Sequence, residues 1–142
     1  METDIKILET QEFEVEIYYQ TIEVCAVDFG NISSNARVKC TSNPHDKILV
    51  MLDLSKINNG VVVHEAVHVA IFITERLGIE FDANTHEHFA YLVEFIFNKI
   101  AKIAEDMRER HCKQADNDAT ETVTLELANG KEHKIDIKLK DK

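Results

Sequence analysis

Residues 61–77, VVVHEAVHVAIFITERL, are apolar on nearly every side, which is how a buried helix reads. Gly78 supplies its C-terminal stop. In its most apolar part, residues 61–73, three polar side chains interrupt the run, His64, Glu65 and His68. Each unpaired polar group on such a surface costs about 1–3 kcal/mol, so an apolar helix has no structural reason to carry them.

The chain around this helix changes period. Before it, Phe13, Val15 and Ile17 alternate with Glu14, Glu16 and Tyr18, the signature of a half-buried strand. Residues 22–27 form a second β-rich run, residues 28–35 a loop, and residues 36–40 a short strand. Pro44 lies in the turn signal SNPHD, and Lys47 to Leu54 is the strongest strand candidate. After it, a loop over IEFDAN leads to a second helix at about 85–112. Ile96, Ile100, Ile103, Ala104 and Met107 form one apolar stripe on it. Residues 113–121 read as a polar linker and residues 122–142 as a β-hairpin with Asn129-Gly130 at its turn. Residues facing each other across a hairpin share a face. A three-residue loop, Ala128 to Gly130, therefore sets Val123 against Ile135 and Leu125 against His133, where a two-residue loop would oppose Leu125 to Lys134.

The expected fold is α+β: a small, mainly antiparallel sheet from residues 13–54, packed on helices at about 60–77 and 85–112. Residues 1–112 make one domain, with the hairpin as its appendage or as a dimerisation element. A length of 142 residues suits one domain with a real core. The net charge of −10 argues against a nucleic-acid surface, which would need a basic face. The acidic opening METDIKILETQEFEVE lacks the basic start and apolar run of a signal peptide, and the apolar helix is too short to span a bilayer. Three cysteines without a CxxC pair suit a reducing compartment. A cytoplasmic protein with no membrane partner is expected.

The chemistry centres on His64-Glu65-Ala66-Val67-His68. Residues four apart lie on one helix face, so the two imidazoles can offer nitrogens to one zinc ion. Glu65, one step round, can reach a water on that ion and act as general base. A catalytic zinc wants a third protein ligand and an open position. The sequence offers Glu87, with His86 and His88 as alternatives. From His68 the helix climbs roughly 12 Å before Gly78, and six to eight loop residues span about 20–27 Å, enough to bring a second helix back alongside. Asn84 could instead cap that helix, with Glu87 as its capping-box partner.

HExxH, eighteen residues, then Glu with a following Phe-Ala pair resembles the zinc motif of the gluzincin aminopeptidases and is close to that of thermolysin-like enzymes. The resemblance covers about residues 60–95. It implies one zinc per chain held by His64, His68 and Glu87, with Glu65 as the base of a zinc-dependent peptidase acting on a peptide or protein. It also implies that substrate adds to a sheet edge above the zinc helix, here residues 47–54. The chain departs in having His88 after the third ligand and no Gly-rich aminopeptidase motif before residue 64. In size and in its strand-rich lead-in it resembles compact stand-alone gluzincin-like domains of bacteria and phages. Tyr91 and Glu94 follow Glu87 at helical spacing, and either could hydrogen-bond a zinc-bound histidine. Tyr18, Tyr19, His86 and His88 are candidate oxyanion donors. The alternative function is a zinc-stabilised interaction domain without turnover, which would close the site with a fourth protein ligand.

Overall fold

The computed structural model describes residues 5–118, 120–126 and 132–138, with side chains through residue 114. It divides into two compact units, residues 1–107 and 108–142. The fold is α+β. Strands β1 (Lys6–Val15), β2 (Gln20–Asp28), β3 (Ala36–Lys39) and β4 (Ile48–Leu52) precede helices α1 (Asn59–Arg76) and α2 (His86–Asp118), and a hairpin β5 (Thr120–Glu126) and β6 (Glu132–Lys138) follows.

The four-stranded sheet has the order β1-β2-β4-β3. Its two outer ladders are antiparallel and the central β2–β4 ladder is parallel. Strand β4, expected to form the open edge, is therefore interior. Its burial explains this, since Ile48, Val50 and Leu52 are fully covered on one face and Met51 nearly so on the other. A strand apolar on both faces belongs in the middle of a sheet. The edge is instead β3, whose Ala36 and Val38 alternate with exposed Arg37 and Lys39. Strand β1 begins at Lys6, earlier than the alternation from Phe13 suggested, because residues 9–12, ETQE, are polar on both faces and a bulge between Ile7 and Glu9 breaks the period before them.

One face of the sheet packs on both helices. Ile22, Val24, Ile48, Val50 and Leu52 meet Val62, Ala66, Val69, Ala70 and Ile73 of α1 and Leu92, Ile96 and Ile100 of α2. The expected α2 stripe, Ile96, Ile100, Ile103, Ala104 and Met107, is buried throughout. Coverage of α1 is one-sided, however. Val63 and Ile71 stay exposed, because the sheet and α2 contact only the opposite arc of the helix.

Asn58 starts α1 by accepting the Val61 N–H at 3.0 Å. Gly78 ends it at φ 64°, with the Ile79 N–H on the Thr74 carbonyl at 2.9 Å and the Gly78 N–H on that of Glu75 at 3.2 Å. Arg76, in the last turn, donates to the Thr41 and Asp46 carbonyls and to Oε1 of buried Gln20 at 2.8–3.1 Å. This clamp fastens the β3–β4 connection to the helix end and sets α1 against β3.

Helix α2 runs on to Asp118 through most of the stretch expected as a linker. KQADND contains neither glycine nor proline, so nothing in it stops a helix. In the hairpin, Val123 pairs with Ile135 and Leu125 with His133, the register that side-chain parity required. The expected loop, residues 128–130, lies outside the described residues.

Candidate metal and peptide site

His64, Glu65 and His68 project from the first half of α1 into an open groove of about 1100 Å³. Phe72 of α1 lines it beside them, and the rest of the lining is Ser34 and β3 (Ala36, Arg37, Val38, Lys39) with Leu49, Met51, Ile5 and Ile7. The two histidines are exposed and their Nε2 atoms lie 3.1 Å apart, with ring centroids 4.8 Å apart. Two nitrogens bound to one tetrahedral zinc at about 2.0–2.1 Å would lie about 3.3 Å apart. The pair therefore fits two positions of such a site. The same spacing lets one neutral ring donate to the other. His68 also stacks on Phe72, with centroids 6.4 Å apart, which limits its swing.

Glu65 is buried, with 7% of its surface exposed. Burial pushes its carboxyl above the usual range, while charge on His64 and His68 would pull it back. A carboxylate held this way beside two imidazoles is a poised proton acceptor.

The third expected ligand is not gathered with these two. No group of three His, Cys, Asp or Glu side chains that could hold a metal ion occurs among the described residues. Glu87 is exposed in the first turn of α2, and its carboxylate lies 3.9 Å from His86 Nδ1. The reason is axial position. Helix α1 continues to Arg76, and the start of α2 lies beside its end, where Thr74, Ile79, Phe81, Thr85, His88 and Phe89 line a common cleft. Thr74 is six residues beyond His68, about 9 Å along the axis. The helix stops where the sequence places its stop, at Gly78, but the connection does not extend. The Thr85 hydroxyl on the Glu80 carbonyl and the Thr85 and His86 N–H groups on the Asp82 carbonyl keep it turned, so α2 starts beside the helix end. His86 and His88 share this displacement.

Other expectations shift for the same reason. Tyr91 lines a separate cleft with Glu14–Tyr18 and His88, and Glu94 is exposed. Neither hydrogen-bonds His64 or His68, whose described polar contact is with each other. Ala90, the small residue one turn beyond Glu87, is exposed. The start of α2 is organised by Asp82, whose Oδ1 accepts the N–H groups of Asn84 at 2.7 Å and Thr85 at 3.1 Å, so Asp82 takes the capping role expected of Asn84. Of the proposed oxyanion donors, Tyr18 and His88 border clefts other than this groove, and Tyr19 is 91% exposed at the left-handed φ of 52°.

Sequence reasoning missed the residues of β3 that wall the groove. The signal was present in Ala36-Arg37-Val38-Lys39, whose period of two marks a half-exposed strand. The Asp53 N–H donates to the Asn35 carbonyl at 2.9 Å. Residues 37 and 39 repeat that orientation towards β4, so Ala36 and Val38 turn their backbone groups to the open side. The Ala36 carbonyl accepts the Ser34 hydroxyl at 3.0 Å there.

No family model matches this chain, and no curated protein or solved structure matches it. No helix among the described residues is long and apolar enough to cross a membrane.

Proposed function

We propose that the chain is a cytoplasmic, zinc-dependent peptidase of gluzincin-like design, in which His64 and His68 hold the ion and Glu65 is the general base. The observation that carries this reading is the convergence of the two Nε2 atoms, 3.1 Å apart, beside buried Glu65 in a groove walled by a sheet edge. Zinc, when bound, would supply Lewis acidity towards a peptide carbonyl and towards water. Glu65 would take a proton from the attacking water at its carboxylate and pass it to the leaving amine. Its raised affinity for protons suits both halves of that transfer. The free edge of β3 would hold the peptide extended, through the backbone groups of Ala36 and Val38. Three free thiols, Cys25, Cys40 and Cys112, suit the reducing compartment this reading assigns.

Two histidines do not complete a zinc site, and the reading requires a third donor. Glu87 fills that role if segment 77–87 repositions along α1, and the exposed strip of Val63 and Ile71 beside the histidines is the surface it would cover. The deciding experiment is elemental analysis of protein purified without added metal, with turnover of a peptide library alongside. One zinc per chain is expected, retained in Glu65→Gln while hydrolysis disappears. Metal-free protein that takes up no added zinc, or hydrolysis that survives both Glu65→Gln and chelator, would sink the proposal.

A further inference from the structure

Arg37 and Lys39 are two cations side by side on the open edge of a chain whose net charge is −10. They stand on the sheet face opposite Ala36 and Val38, which pack towards the helices. Across β4 their partners are Met51 and Leu49, so an apolar row separates them from the acids of β2 and β1. Among the described residues neither takes part in an ion pair. Edge lysines often serve only to discourage sheet-to-sheet aggregation. Here, however, both cations line the groove that holds His64, Glu65 and His68.

A strand added beside β3 has its side chains fixed by register. A residue opposite Arg37 projects to the same face as Arg37, the residue two further on sits beside Lys39, and the one between points the other way, towards Phe72 and the histidines. We infer that the groove selects an extended peptide with acidic side chains at alternate positions, Glu-x-Glu or Asp-x-Asp, and an uncharged residue between them. This rests on the reading of the groove as a peptide site and adds its substrate class. Long-range repulsion from a chain of charge −10 disfavours an acidic ligand, so recognition has to come from these two local cations, within a Debye length of about 8–10 Å.

The test is fluorescence anisotropy on the full chain in chelator, so that binding is read without metal or turnover. Three labelled, end-blocked heptapeptides of threonine and valine are compared. One carries Glu at two alternate positions, one carries Lys there, and one carries two adjacent Glu that must fall on opposite faces. The alternate-Glu peptide is expected to bind about tenfold tighter than either other, an advantage that shrinks as salt rises. Arg37→Glu with Lys39→Glu should invert the preference towards Lys, and Arg37→Gln with Lys39→Gln should erase it; all four changes are at exposed positions. Equal binding of the three peptides overturns the charge rule and leaves the peptide groove standing. A preference that survives the double reversal also overturns the rule. Failure of every peptide to bind overturns the peptide reading itself.

Discussion

The two ends of α1 are built from one apolar sequence and meet opposite surroundings. Its first half turns His64, Glu65 and His68 to an open groove under β3, while its last turns lead into a cleft lined by Ile79, Phe81, Phe89 and Leu92. Phe81 and Phe89 meet edge to face there, with centroids 5.0 Å apart. The comparison teaches that HExxH fixes which face of a helix bears the donors and leaves open what lies opposite that face. The opposing wall depends on the path of the chain after the helix, and here the turns at Asp82 and Thr85 start α2 beside the helix end, away from the histidines.

Packing should give the largest contrast between the ends. Ile73, fully buried near the C-terminal end, should cost about 2–5 kcal/mol when changed to Ala, whereas Val63→Ala on the exposed arc should cost well under 1 kcal/mol by urea unfolding. Similar losses at both positions would mean that something covers the exposed arc. Zinc affinity sharpens the contrast from the other side. His64→Ala and His68→Ala should each weaken zinc more than about a hundredfold, beyond the 10–100-fold typical of a residue that only supports a ligand. Glu87→Ala should match them if the C-terminal end closes onto the metal. Zinc affinity unchanged in Glu87→Ala would assign the third position elsewhere.

The two caps of α1 should weigh about equally despite different chemistry. Asn58→Ala removes an acceptor and should cost about 1 kcal/mol. Gly78→Ala meets no atom within 4 Å but must hold φ 64°, which costs an L-residue about 1–2 kcal/mol. Thermal unfolding measures both.

The smallest effect is expected at Glu65, where histidine charge offsets part of the burial. Its folded pKa lies above its unfolded one. The cost of charging it is therefore absent below the unfolded pKa of about 4. That cost grows as pH rises and is complete above the folded pKa. Glu65→Gln should raise the Tm of metal-free protein near neutral pH and lose that advantage in acid. A lower Tm at pH 7 would show that the carboxylate is stabilised by a partner instead.

Much of the fold was legible because its signals are local. The α2 stripe from Ile96 to Met107 and the pairing of Val123 with Ile135 follow from periods of 3.6 and 2 that no distant contact had to supply. The order of strands was not legible. Residues 48–52 announce a strand, but only pairing with β2 on one side and β3 on the other makes it interior. The candidate site divides the same way: His64, Glu65 and His68 come from one helical turn, while Arg37, Lys39 and the displacement of Glu87 arise from tertiary packing.

The parallel pairing of β2 with β4 requires the chain to pass through residues 29–47 between them, with β3 inside that crossover. β3 pairs with β4 across residues 40–47 alone, a shorter closure than the β2–β4 pairing. The groove wall is therefore the local part of this crossover, and the β2–β4 ladder bears the larger loop entropy. Four residues held from one side should also open first in the folded protein, on the low-energy end of local unfolding. A ligand strand pairing with Ala36 and Val38 would hold β3 from both sides and, by mass action, slow hydrogen exchange at the amides of Arg37 and Lys39 that face β4.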